Sequence, residues 1–228
     1  MNYSKQLPFD FECRPSLSGE DFLVTPSNRD AVAWLDNWSH WPTPLLILYG
    51  PPGCGKTHLS NVFMASTGAV RLTPAIIRDL NLVGLMGSRN FFVVDDNEVN
   101  RFVNFSEISL FHFYNNLVIQ GGHMLITAES HPINWEFKLA DLSSRVKAAQ
   151  AIGIGKPDDE LIKVVLVKLF SDLQVRVENS VIEYITKRIE RSFDEVRKFV
   201  QFANEIALVE KKGITLAVVR KVFNDLKL

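Results

Sequence analysis

The stretch Gly50-Pro51-Pro52-Gly53-Cys54-Gly55-Lys56-Thr57 constrains this 228-residue chain more than any other. It fits G-x-x-x-x-G-K-[ST], and it sits between a continuous apolar run, Leu45–Tyr49, and a helical pattern, Thr57–Ala65. Strand, glycine loop and helix in that order make a phosphate-binding loop. The glycines let backbone N–H groups turn inward, and the following helix presents its positive end to an anion. The spacing assigns Lys56 to the β- and γ-phosphates and the Thr57 hydroxyl to Mg²⁺. The segment expected to line the phosphates runs Pro52, Gly53, Cys54, Gly55, Lys56, Thr57 and His58.

The rest of the first part of the chain alternates in the same way. Apolar runs at Phe91–Val94 and Met124–Thr127, and weaker ones at Ala69–Leu72 and Ala148–Ile154, read as strands buried on both faces. Between them fall helical patterns at 27–38 (with Ser27 as N-cap), 57–65, 74–80 and 107–120. This alternation predicts an α/β fold with a parallel sheet. After Pro157 the pattern changes. Residues 158–170, 180–189, 193–211 and 216–226 repeat at the helical period with no strand between them, which predicts a small helical bundle. The expected division is an irregular arm at 1–20, a phosphate-loop domain at 21–155 and a helical lid at 156–228.

A carboxylate is expected at the end of a neighbouring strand, and Phe91-Phe92-Val93-Val94-Asp95-Asp96 supplies two. Asp95 is assigned to Mg²⁺ and Asp96 to orienting or deprotonating an attacking water, with Glu98 as a rival base. Composition narrows the class further. With 46% hydrophobic and 22% charged residues the chain is of ordinary globular type, and a formal net charge of −1 gives no global attraction to DNA or to an anionic membrane. Cys13 and Cys54 make no disulfide framework, and no leader or membrane-spanning run is visible, so a cytoplasmic protein is expected. Trp34, Trp38, Trp41, Trp135 and the histidines other than His58 show no ligand spacing and read as packing residues.

Several stretches, in order, resemble the ATPase core of the bacterial replication initiator DnaA, an AAA+ protein. Phe22-Leu23-Val24-Thr25-Pro26-Ser27-Asn28-Arg29 is similar to the segment that encloses the adenine there, which implies nucleotide contacts for Val24 and Asn28. Gly53–Leu59 resembles its Walker A motif and Val94-Asp95-Asp96 its Walker B. Leu125–Pro132 resembles its sensor 1 strand and turn, with Thr127 or Glu129 as the polar group. Leu142-Ser143-Ser144-Arg145 is similar to the motif that carries its arginine finger, and Asp194-Glu195-Val196-Arg197 to the start of its sensor 2 helix. The resemblance spans roughly residues 20–226. It implies an AAA+ P-loop NTPase fold, a parallel five-stranded sheet flanked by helices and followed by an all-helical lid, with ADP or ATP and Mg²⁺ as ligands.

Two departures bear on function. DnaA continues into a helix-turn-helix domain, whereas this chain stops at Leu228, so sequence-specific duplex binding is not expected. The arm carries Gln6-Leu7-Pro8-Phe9-Asp10-Phe11, similar to the peptide by which bacterial proteins dock on the replicative sliding clamp, the DNA polymerase III beta subunit. Gln6 offers an amide, and Leu7, Phe9 and Phe11 offer alternating apolar anchors; the other use of these side chains is packing on the chain's own sheet. The resemblance then implies a DnaA-related regulator with weak ATPase of its own. Docked on the clamp, and through it on DNA, it would promote hydrolysis of DnaA-bound ATP with Arg145 and repress re-initiation. A homodimer or larger assembly fits a finger that acts between subunits. Arg145 as an ordinary surface arginine, and Arg197 in an ion pair with Asp194 or Glu195, remain the competing readings. So do a free-standing ATPase such as a helicase loader and a non-catalytic nucleotide-binding adaptor.

Overall fold

The computed structural model describes residues 13–14, 22–73, 76, 90–95 and 106–226, the first pair and residues 22–23 by backbone only. Five strands form the main sheet among these residues, in the order β4-β5-β6-β3-β7, and every neighbouring pair is parallel. They are β3 (Leu45–Tyr49), β4 (Val70–Arg71), β5 (Phe91–Val94), β6 (His123–Ala128) and β7 (Gln150–Gly153). A separate antiparallel pair, β1 (Cys13–Arg14) and β2 (Phe22–Leu23), was not anticipated, since two residues leave no legible alternation.

Strand periodicity explains how the sheet is covered. Leu45 and Ile47 of β3 share one face with Phe92, Val94, Met124 and Ile126, packed against Leu110, Phe113 and Leu117 of α3 (Glu107–Ile119) and Leu142 and Val146 of α4 (Ala140–Ala148). Leu46 and Leu48 share the other face with Val93 and Leu125, under α1 (Arg29–Asp36) and α2 (Lys56–Thr67). A strand buried on both sides therefore reads as an unbroken apolar run.

The expected 27–38 helix is shorter than its pattern. Asn28, not Ser27, takes the N-cap position, and its amide oxygen accepts from the Thr25 N–H at 2.9 Å. After Asp36 the chain tightens into a 3₁₀ turn, Trp38–His40. The expected strand from Ala148 begins at Gln150 because α4 runs to Ala148. Glu107 was also missed: its carboxylate accepts from the backbone N–H groups of Lys138 at 3.1 Å and Leu139 at 2.7 Å, immediately before α4. The N-cap Leu139 has no side-chain oxygen to cap the first turn, and Glu107 of α3, 32 residues away, instead binds the N–H groups of Leu139 and of the residue before it. Of the pattern at 74–80, all but Ile76 lies outside the described residues.

The C-terminal part consists of α5 (Asp159–Asp172), α6 (Asn179–Thr186), α7 (Phe193–Glu210) and α8 (Leu216–Leu226). Asp158 caps α5, accepting from the Leu161 N–H at 2.8 Å. Leu166, Phe170, Ile185, Phe199, Ala203, Val219 and Val222 form an apolar cluster of their own. The join is pinned by two backbone bonds, Ile154 N–H to the Tyr49 carbonyl at 2.7 Å and Gly155 N–H to the Ser27 carbonyl at 3.1 Å. No helix among the described residues is long and apolar enough to cross a membrane.

At the amino edge of the sheet His123 stacks on Phe91 at 5.6 Å, and its Nδ1 is buried without a hydrogen-bond partner among the described residues. Burial holds this imidazole below its ordinary pKa. The folded chain thus keeps it neutral where the unfolded chain protonates it. That contribution to stability is complete above about pH 6.5 and is lost as the pH falls from there toward the folded-state pKa. Urea midpoints measured at about pH 7.5 and about pH 5.5 should drop less for His123→Phe than for the native chain.

Candidate functional site

Parallel pairing sets the carboxyl ends of β3, β5 and β6 side by side, and the chemistry-bearing residues lie there. Gly50 leaves β3 with its N–H on the Ala128 carbonyl at 3.0 Å, and a side chain at this position would meet the Ile154 carbonyl oxygen at 2.4 Å. The loop then turns through Gly53 (φ 70°) and Gly55 (φ 103°), conformations that a side chain disfavours. Gly55 is the N-cap of α2, so the amides that follow it point out of the helix toward the loop. Cys54 is buried, Pro52 and Thr57 are exposed and His58 is half-buried. Lys56 is 95% buried, and its ammonium donates to the carbonyls of Gly50 at 2.8 Å and Pro51 at 3.1 Å. These are contacts a phosphate can replace.

Asp95 stands at the end of β5 and is almost fully buried. One carboxylate oxygen accepts from Thr127 Oγ at 2.9 Å and from Thr57 Oγ at 3.4 Å, while the other takes the guanidinium of Arg71. Thr57 and Asp95, assigned together from spacing, thus do converge. Hard oxygen donors from one hydroxyl and one carboxylate, beside a phosphate loop, suit Mg²⁺, which is usually held by few protein groups plus substrate oxygens. Thr127 points at this carboxylate, whereas Glu129, just beyond β6, is exposed. Asp96 and Glu98 lie outside the described residues, as do Gln6, Leu7, Phe9 and Phe11 of the arm.

The lid reaches the loop directly. The Phe193 N–H donates to the Gly53 carbonyl at 2.8 Å, a Cβ on Gly53 would come within 2.1 Å of Ser192 Oγ, and one on Gly55 would come within 3.1 Å of the Phe193 ring. Arg197 is exposed one turn further along α7, on the face that Phe193 and Asp194 begin. Of the two foreseen ion-pair partners of Arg197, Asp194 and Glu195, the second is held by Lys198 at 2.7 Å. Val24 packs against the core beside β3, and Asn28 is buried in the turn that Gly155 closes.

Arg145 occupies the last turn of α4, half-buried, with its guanidinium 4.9 Å from the Phe111 ring centre and 5.4 Å from that of Tyr114. Burial pushes the Tyr114 phenol above its ordinary pKa, and the Arg145 charge and hydrogen bond pull it back. A groove on the lid, lined by Phe202, Glu205, Ile206, Val209, Glu210 and Lys221, includes none of these residues. Sequence reasoning missed Arg71 and the contact of residues 192–194 with the glycine loop. A lone arginine inside a short apolar strand was a signal for the first; nothing local marks the second.

No family model matches the chain. The chain is 26% identical over 227 residues to the chromosomal replication initiator protein DnaA of Thermomicrobium roseum, covering 90% of this chain and 48% of that protein. It therefore spans about half the length of this curated relative. Domain III of Thermotoga maritima DnaA superposes with a TM-score of 0.72 at 18% identity, covering 90% of this chain and 94% of that one. AMPPCP-bound DnaA from Aquifex aeolicus superposes at 0.61 with 16% identity, over 86% of this chain and 65% of that one.

The loop geometry can be checked by substitution. Gly53→Ala should cost about 1–3 kcal/mol in urea unfolding for its left-handed backbone alone, plus the clash with Ser192. Adding Ser192→Gly should recover the clash share and leave the backbone share; full recovery would show that the backbone is unstrained there.

Proposed function

From a DnaA-like AAA+ fold, we propose that this chain is a nucleotide-binding regulator of the Hda type, which promotes hydrolysis of ATP held by DnaA. The observation that carries the nucleotide part is the contact of the lid with the phosphate loop, where Phe193 bonds Gly53. An adenine nucleotide there bridges two parts of the chain. Its phosphates lie against Gly53–Thr57 at the amino end of α2, the Lys56 ammonium turns to them from the Gly50 and Pro51 carbonyls, and Arg197 approaches from α7. Val24 and Asn28 flank the base. With a triphosphate bound, Thr57 and Asp95 would hold Mg²⁺, which supplies charge neutralisation for the phosphate oxygens. Asp96, or Glu98, is the base of any turnover by the chain itself. Thr127 or Glu129 aligns the water.

Filling the site orders loop and lid together, so the nucleotide acts as a structural switch, and ADP suits that role. Residues 21–155 and 156–228 are the two parts it joins. Arg145 then acts on a neighbour, meeting the γ-phosphate in the ATP site of DnaA. The arm, through Gln6, Leu7, Phe9 and Phe11, holds the protein to the sliding clamp on DNA. A short peptide binds weakly alone and gains from two arms on one ring, which favours a dimer or higher oligomer.

The stacking of Arg145 on Phe111 and Tyr114 favours one rival, an adaptor in which this arginine only packs. Magnitudes separate the two. A cation–π contact at a half-buried site is worth about 0.5–2 kcal/mol, whereas fingers in GTPase systems contribute on the order of 10³–10⁵ in rate. Arg145→Ala should therefore fold normally by circular dichroism and lower the hydrolysis of labelled ATP pre-bound to DnaA, on clamp-loaded DNA, by at least about tenfold. Unchanged hydrolysis would leave the adaptor. Brisk turnover by this chain alone, indifferent to DnaA and clamp, would point to a free-standing motor such as a helicase loader.

Lys56→Ala tests the nucleotide site separately. Fluorescent mant-ADP binding should weaken by at least about 100-fold with the fold intact, since the phosphate loses its buried counter-charge.

A further inference from the structure

Arg71 is the charged residue of the two-residue edge strand β4, opposite Val93 in the parallel register and so beside the end of β5. Its guanidinium forks. One nitrogen meets the Asp95 carboxylate and the other donates to Asn61 Oδ1 at 2.8 Å, one turn along α2 from Thr57. The Asp95 side chain is 5% exposed and that of Arg71 37%. A carboxylate so buried needs a counter-charge, and the planar fork provides one while tying α2 to β5.

We propose that Arg71 is the built-in cation of the Asp95 carboxylate, so that the phosphate loop holds a nucleoside diphosphate without a metal ion. The inference rests on the nucleotide reading above and adds the identity of the charge at its centre. The two carboxylate oxygens are divided, Thr57 and Thr127 on one and Arg71 on the other. A divalent cation arriving here meets a positive charge already in contact with its ligand and must displace it or accept the repulsion. Mg²⁺ also gives up its water reluctantly and relies on phosphate oxygens for ligands. A diphosphate offers few of these, and Lys56 and the amino end of α2 already answer its charge while Arg71 answers that of Asp95. A triphosphate offers more, and metal enters with it.

The test is a mant-ADP titration of the full chain in EDTA and in Mg²⁺, for the native sequence and for Arg71→Gln, together with Mn²⁺ binding to each ADP complex by electron paramagnetic resonance. The native chain should change its Kd by less than about threefold between the two buffers and bind Mn²⁺ weakly. Arg71→Gln should lose affinity in EDTA on the order of tenfold, recover it with Mg²⁺, and bind Mn²⁺ more tightly. A native chain that itself loses about tenfold in EDTA overturns the proposal, whether or not the variant folds. So does a folded variant as indifferent to metal as the native chain. Absence of mant-ADP binding in every buffer would instead bring down the nucleotide reading, and this inference with it.

Discussion

Parallel hydrogen bonding carries the rest of this structure. Every strand of the main sheet runs the same way, so every strand delivers its carboxyl end to one edge. Along that edge Leu48 pairs with Thr127 and with Ile152, while Val94 pairs with Ile126. One residue beyond Val94 stands Asp95, one beyond Tyr49 stands Gly50, and Thr127 closes on the same carboxylate. A slip of one residue in β5 or β6 would turn these side chains to the opposite face and disperse the site. The apolar runs that hold the register therefore also hold the chemistry.

The charges at this edge are compensated within the chain. Lys56 donates to two carbonyls, and Asp95 accepts from two hydroxyls and a guanidinium. Buried ions held in this way are poised for exchange, because an incoming ligand can take over contacts already made rather than create a charge in an apolar place. The lid adds a second condition. Since Phe193 bonds the loop carbonyl at Gly53, anything that moves the loop also bears on α7 and on the cluster around Phe199. The same dependence appears in miniature at Glu107, whose carboxylate orders the entry to the helix that bears Arg145.

Much of the fold was legible because its signals are local. A helix or buried strand declares itself by the period of its apolar residues, so β3, β5, α3 and all of α5–α8 stood close to their expected places, and the expected five-stranded parallel sheet is present among the described residues. The glycine loop was equally plain, since its geometry is written in consecutive residues. Errors fell where local and tertiary preferences compete: Ser27 lost the cap to Asn28, whose amide closes the turn back to Thr25, and the strand near 150 gave its first residue, Ala148, to α4.

By itself the sequence determined the class of fold, the phosphate loop, and the types of side chain available to serve a phosphate and a divalent cation. Each depends on neighbours along the chain, where spacing and backbone geometry suffice. Only the tertiary structure decided that Arg71, 24 residues before Asp95, is that carboxylate's ionic partner, that Thr127 rather than Glu129 faces it, and that Arg145 lies on Phe111 and Tyr114. These are pairings across strands and helices. No period along the chain encodes them, because which distant groups meet is set by sheet order and by the packing of helices onto its two faces.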